Sequence, residues 1–434
     1  MEWYLIATIL FTLMLILLAT GMPISLVLGI LGIGGLVILE GPEMALSLIG
    51  TNSYRISANF VLTSIPLFVF MGEMLFVSGI GANLFDMASK WLGRLPGGLA
   101  VGSIAATSIF GAMSGASTAA VATMGPLCVP EMLKRGYDKR LATGTVAAAG
   151  ALDPIIPPSI ILVVYAICTE QSIGKLFLAC FLPGFLLAII MAGLVIVWVL
   201  WKPRHAPMIE KCSWKEKFSS IPGTWPALIL IFLVLATIYL GVATATEAAA
   251  LGAFGSFLIA LFSKRISFHI LSRALMNTLS TTCMIMFIVI CSSLFSNLLT
   301  TQQITANFAI FVGGIQLSRW IVMIIIQLLY IFLGCFIDCI SIILITSPII
   351  MPLIIKLGFD PVWFGAVLMV NFATAVITPP FALNLYVMNK VVPEVSLKDV
   401  TLGALPFLIA DIIGLALVII FPQIALWLPS MMSK

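Results

Sequence analysis

The chain has 434 residues, of which 62% are hydrophobic and 9% charged, with a net charge of +4 and a mean hydropathy of +1.21. A soluble domain carries roughly 25% charged residues, so the composition excludes a water-soluble globular protein. The modest positive charge, gathered in a few loops, gives no reason to expect nucleic-acid binding. Eight cysteines without a CxxC pair or histidine spacing also exclude a zinc centre of the usual kind; Cys335 and Cys339, four apart, read as packing thiols on one helix face.

In chain order, the first apolar run spans Tyr4 to Thr20, with no lysine or arginine before it and no small-residue cleavage site, and reads as a retained helix and not a secretory signal. Runs near 23 to 39 and 60 to 78 follow, each close to the ~20 residues that cross a bilayer. Residues 97 to 133 are apolar but interrupted by Gly111, Gly115 and the polar tip Ser114–Ser117, with basic residues on both flanks. A re-entrant hairpin entering and leaving on one side satisfies both flanks. A broken helix near 141 to 168 comes next, then spans near 176 to 201, 226 to 242, 246 to 262 and 274 to 299. A second hairpin near 320 to 355 and a second broken helix near 362 to 390 complete this reading.

Sixteen of the 21 lysines and arginines fall in five loops, around Lys90, Lys134 to Arg140, Lys202 to Lys217, Lys264 to Arg273, and Lys390 to Lys398. Positive residues are retained on the cytoplasmic side, so these five loops are expected there and both termini on the periplasmic side. His205 and His269, the only histidines, lie in such loops and read as solvated, not catalytic.

Residues 126 to 158 align without a gap on residues 348 to 380, at an offset of 222. Pro126, Pro130, Pro157 and Pro158 match Pro348, Pro352, Pro379 and Pro380, while Lys134, Gly136 and Asp138 match Lys356, Gly358 and Asp360. An odd number of spans separates the copies, so the second hairpin is expected to enter from the outside. The expected architecture is an all-α polytopic membrane protein of two inverted repeats, 1–201 and 226–434, joined by a cytoplasmic linker, 202–225. Each repeat holds a re-entrant hairpin and a broken transmembrane helix, an arrangement typical of secondary transporters.

The breaks are Gly150-Ala-Leu-Asp-Pro-Ile-Ile-Pro-Pro158 and Phe372-Ala-Thr-Ala-Val-Ile-Thr-Pro-Pro380. Paired prolines remove two backbone donors and bar helix from the preceding residue, leaving carbonyls that a cation can satisfy; the plainer reading is a pair of kinks covered by neighbouring helices. Ser114, Ser117 and Thr118 supply hydroxyls among small residues, which also suit helix packing. Asp338, inside an apolar hairpin, could bind a cation, carry a proton or cap the second half-helix. Glu73, Glu247 and Asp411 read as interfacial or helix–helix polar contacts. With no lysine or arginine in hairpin or break, an anion would be held by half-helix N-termini, hydroxyls, bound cations and the amides of Asn371 and Asn384.

The stretches Ser114-Gly-Ala-Ser117, Met124-Gly-Pro, Val129-Pro-Glu-Met-Leu-Lys-Arg-Gly-Tyr137 and Ala148-Ala-Gly-Ala-Leu-Asp-Pro-Ile-Ile-Pro-Pro-Ser159 resemble the large membrane subunit of tripartite ATP-independent periplasmic (TRAP) transporters. Asn371-Phe-Ala-Thr-Ala-Val-Ile-Thr-Pro-Pro-Phe-Ala-Leu-Asn-Leu-Tyr386 and Phe336-Ile-Asp338 are similar to that family's second-half motifs. The resemblance, which covers essentially the whole chain, implies an elevator-type, sodium-coupled importer of small organic anions in the bacterial inner membrane. It implies two partners, a four-helix small membrane subunit and a periplasmic binding protein, and sodium as the only metal, with no organic cofactor. One sodium would lie among Ser114, Gly115, Ser117, Gly150, Ala151 and Pro154. A second would lie among Asp338, Ser341, Ala373, Val376 and Thr378. Substrate would meet Thr118, Pro157, Pro158, Asn371, Pro379, Pro380 and Asn384. The departure is Cys339-Ile-Ser341, where small hydroxyl residues are commoner directly after the acid.

Two other readings compete. A self-sufficient carrier of the wider ion-transporter superfamily would need no partner. An intramembrane hydrolase would need a membrane-embedded histidine, an HExxH motif or paired acids, and the sequence has none of these.

Overall fold

A computed structural model describes residues 2–207, 212–314, 317–379 and 382–432, and all regular secondary structure among them is helical. The chain opens with α1 (Trp3–Ala19), α2 (Ile24–Leu39), α3 (Pro42–Ser57), α4 (Ser64–Val77) and α5 (Ile80–Leu92). Next come α6 (Gly98–Ser114), α7 (Ser117–Lys134), α8 (Lys139–Gly150), α9 (Ile160–Thr169) and α10 (Ile173–Trp201). The middle holds α11 (Trp214–Ser219), α12 (Trp225–Tyr239), α13 (Ala245–Phe262), α14 (Phe268–Thr301) and α15 (Ile304–Gly314). The last group is α16 (Arg319–Gly334), α17 (Cys339–Lys356), α18 (Pro361–Ile377), α19 (Leu383–Val391), α20 (Leu397–Ile420) and α21 (Gln423–Met431). Six segments among these are long and apolar enough to cross a membrane, whereas α6, α9, α16 and α18 are shorter pieces flanking the turns and breaks.

The order in α6–α10 recurs in α16–α20, and so does the local chemistry. Gly136 and Gly358 end α7 and α17 with φ of 79° and 75°, a left-handed turn that favours glycine. Two residues on, the carboxylate of Asp138 accepts from the Arg140 and Leu141 amides, and that of Asp360 accepts from Val362 and Trp363. Each cap satisfies helix donors that would otherwise be bare.

Prolines inside the helices leave carbonyls that other elements then occupy. Pro348 has no N–H, so the Leu344 carbonyl one turn earlier lacks its helix donor; the Ser292 hydroxyl of α14 donates to it at 2.7 Å. Near the end of α20 the Val418 carbonyl, one of the last turn's unpaired acceptors, accepts from the Trp363 indole at 3.0 Å. Hydrocarbon offers no water to fill such gaps.

Helix α20 crosses α8 at backbone contact. A side chain on Gly144 would collide with the Gly403 backbone, and one on Gly403 with the Arg140 carbonyl. At the end of this contact Asp399 accepts from Lys139 at 2.6 Å and Arg140 at 3.0 Å. Helices α3, α5, α15 and α20 are not among the spans expected from sequence; α5, for example, carries Asp86 and Lys90 on one side and apolar residues on the other.

Within the 202–225 linker, α11 docks on α5, where the Trp91 indole donates to the Lys217 carbonyl and the buried Lys217 ammonium lies 5.1 Å from the Trp214 ring centroid. Two expectations are corrected. His205 is half-buried beside Trp198, its Nδ1 is shielded and unpartnered, and its carbonyl accepts from the Asp138 amide. Asp411 is neither interfacial nor a paired contact. It is fully buried, because α8, α10 and α18 enclose α20, and neither carboxylate oxygen has a partner among the described residues. Glu73 and Glu247 do make polar contacts, Glu73 with Asn277 of α14 and Glu247 in the capping box of α13 with Thr244.

Candidate ion and substrate site

The first break begins where α8 tightens. The Ala151, Leu152 and Asp153 amides donate three residues back, to Ala148, Ala149 and Gly150, so the Ala147 carbonyl loses its usual partner. The amide of Asn384, at the start of α19, donates to it at 3.2 Å. The same Asn384 uses its oxygen to accept from the Ser117 hydroxyl at 3.0 Å. One fully buried side chain from the second break thereby ties the first hairpin tip to the first break.

Around this tie the expected first cluster is assembled. Ser114 ends α6 and its hydroxyl lies 3.2 Å from the Gly111 carbonyl; Gly115 turns the chain with φ of 67°; Ser117 opens α7. A methyl on Gly150 would lie 3.3 Å from the Ser117 carbonyl, which places the end of α8 directly against the tip. Ala151 and Pro154 are buried just beyond it. Thr118 is half-buried in the first turn of α7, and Pro157 and Pro158 are buried and joined by a cis peptide bond. Pro157 also borders an apolar cavity of about 470 Å³ with Phe177 and Tyr239, away from the hydroxyls.

The second cluster is built differently. Asp338 caps α17, accepting from the Ser341 amide at 3.0 Å and hydroxyl at 2.5 Å. Gly334 packs directly on Ala375, and the Cys335 thiol lies 3.8 Å from the Pro379 carbonyl, so this hairpin meets the second break. There the Thr378 amide donates to Ala375, and the skipped Thr374 carbonyl accepts from the Thr378 hydroxyl at 2.6 Å. Ala373 is buried and Val376 half-buried nearby, while Pro380 lies outside the described residues.

Asn371 is fully buried, and its amide donates to the backbone and side-chain oxygens of Gln327 in α16, at 2.9 and 2.8 Å. Sequence reading also missed Gln327, and a polar cavity of about 410 Å³ bordered by Arg55, Asn59, Glu170, Ser292, Ser293 and Asn297. Its lining comes from helices α3, α9, α14 and α17, far apart in sequence, so no local motif announces it.

The oxygens at both tips are hydroxyls, carbonyls and carboxylates, a hard donor set that suits an alkali cation better than a transition metal. Among the described residues no group of three His, Cys, Asp or Glu side chains could hold a transition metal.

The model of the family described as "Tripartite ATP-independent periplasmic transporter, DctM component" matches residues 11–424. The chain is 34% identical to the C4-dicarboxylate TRAP transporter large permease protein DctM of Pseudomonas aeruginosa, over 92% of this chain and 93% of that one. It is 32% identical to the sialic acid TRAP transporter large permease protein SiaM of Vibrio cholerae, over 86% and 87%. Among solved structures, the YdaH transporter of Alcanivorax borkumensis shares the fold with a TM-score of 0.64 at 14% identity, covering 90% of each chain. MtrF of Neisseria gonorrhoeae aligns with a TM-score of 0.61 at 14% identity, over 90% of this chain and 85% of that one. The chain is therefore a multi-pass membrane protein that belongs to the DctM family of TRAP transporter large permeases.

Proposed function

We propose that this permease imports a small organic anion across the bacterial inner membrane, coupled to sodium and by an elevator movement of the hairpin-bearing core. The substrate class rests on the relatives, whose names specify C4-dicarboxylate and sialic acid. A sugar acid or keto acid fits the same chemistry. The partners are a periplasmic binding protein that delivers the anion and a small membrane subunit; a relative in Oleidesulfovibrio alaskensis carries the combined name DctMQ and is matched over 59% of its length. The termini face the periplasm and the two repeats are inverted, as the basic loops require.

The observation that carries the reading is the meeting of each hairpin tip with a helix break. At one stand Ser114, Ser117 and the end of α8; at the other, Gly334 and Cys335, just before the Asp338–Ser341 cap, meet Ala375 and Pro379 of the break. Sodium at these places would neutralise oxygens that hydrocarbon cannot, and the N-termini of α7, α17, α9 and α19 would face an anion held between them.

Uptake in proteoliposomes containing both membrane subunits is expected to require an inward sodium gradient and ligand-loaded binding protein. Undiminished uptake without the gradient overturns sodium coupling; undiminished uptake without the binding protein favours a self-sufficient carrier. Ser117→Ala and Asp338→Ala are expected to weaken the sodium dependence of uptake while leaving the chain inserted. A sodium response equal to wild type in both variants refutes the site assignment.

A further inference from the structure

The two hairpin–break pairs each contain one carboxylate, but from opposite partners. At the offset of 222, the helix-capping position is Ala116 in the first copy and Asp338 in the second. The facing position in the break is Asp153 in the first copy and Ala375 in the second. Both facing residues pack on a glycine near the end of the preceding hairpin arm, Asp153 on Gly111 and Ala375 on Gly334. The acid has therefore changed sides while its place between hairpin and break is kept.

The two acids are not equally satisfied. Both oxygens of Asp338 are engaged by Ser341. Asp153 is 0% exposed and neither of its oxygens has a hydrogen-bond partner among the described residues. No ion pair among the described residues reaches it. A bare buried carboxylate is costly in a bilayer, so a proton or a cation must offset its charge. The Ser117 carbonyl stands against Gly150 at the end of α8, three residues before Asp153, and carbonyl and carboxylate oxygens together suit a small monovalent cation.

We propose that Asp153 is the charged ligand of the cation at the first site, supplying from the break the carboxylate that Asp338 supplies from the hairpin in the second. This rests on the sodium reading above, and the test separates the two.

The full chain with its small membrane subunit, in nanodiscs, is titrated with sodium chloride against choline chloride at constant ionic strength, and the thermal unfolding midpoint is followed. Wild type is expected to rise saturably. Asp153→Asn, nearly isosteric, is expected to need at least about tenfold more sodium for half the rise. In the double variant Asp153→Ala with Ala116→Asp, which moves the acid to the position used by the second copy, most of the sodium response should return. A wild type that responds, beside an Asp153→Asn variant with the same half-saturating sodium, overturns the proposal and leaves the sodium reading standing. A wild type that ignores sodium overturns both. If Asp153→Asn does not fold, the wild-type complex is treated with a hydrophobic carbodiimide and its peptides are weighed. Sodium should then slow modification of Asp153 relative to choline, and equal modification in the two salts overturns the proposal.

Discussion

The two hairpins occupy the same register in the sequence and very different surroundings. Helix α6 is made largely of glycine, alanine and serine and is buried along nearly its whole length among α4, α5, α7, α8 and α10. Helix α16 buries Val322, Met323, Ile326, Gln327 and Tyr330, while Ile324, Ile325, Leu328 and Phe332 form an exposed apolar face. Small side chains let backbones approach, and large aliphatic ones meet lipid. The first arm of the first hairpin is thus enclosed by neighbours, whereas the first arm of the second, α16, is held along one face. Opening free energy follows the surface that must be parted, so α16 should leave its seat more readily than α6.

The most severe test of this contrast adds volume to the enclosed arm. A side chain on Gly102 would meet the α5 backbone, with the Ala88 carbonyl carbon at 3.1 Å and the Ser89 nitrogen at 3.2 Å. Gly102→Leu is expected to cost about 3 kcal/mol or more, seen as a lower thermal midpoint and poor recovery of monodisperse protein. Phe332→Ala on the exposed face of α16 is expected to stay within about 0.5 kcal/mol. Similar losses in the two variants would break the comparison.

A smaller pair of changes asks where the copies remain alike. Asp138→Ala and Asp360→Ala each remove a cap that accepts from two amides, and each should cost about 1 kcal/mol in thermal stability. A loss in only one of them would show that the shared turn after each hairpin no longer does the same job.

The smallest effect belongs to α11, outside both hairpins, and sets a baseline. The Ser213 amide donates to Glu216 in a capping box, and this bond, with that of the Ser213 hydroxyl, holds the carboxyl below the ordinary glutamate value of 4.5. Because the folded value is depressed, the contribution is fully present above pH 4.5 and fades as pH falls through the folded value. Wild type should exceed Glu216→Gln slightly in thermal midpoint near neutral pH, with the gap closing in acid. A gap that is independent of pH would remove the charged bond from the account.

What the sequence disclosed follows from short-range rules. Paired prolines announce the breaks because they delete donors within one turn, and Gly136 with Asp138 announces a turn and a cap two residues apart. The companions of those features are distant. The Asn384 amide reaches Ala147, the Ser292 hydroxyl reaches Leu344, and the amide of Asn371 is taken by Gln327, none of them a local neighbour. Asp411 and His205 were misjudged for the same reason: burial depends on which helices surround a residue, and hydropathy along the chain does not carry that. Helix α5 escaped because its polar side resembles a loop when the apolar side has no visible partner.

Asn384 has a consequence for inheritance. A gene cut in the linker would yield two polypeptides, each with its own hairpin and its own break. The fragment carrying Ser117 and Ala147 would lack the amide that joins them, since that amide belongs to the other fragment. The duplicated unit is no longer a portable part. A change at Asn384 is judged by selection through a pocket built in the opposite half, so the two copies must drift together or not at all.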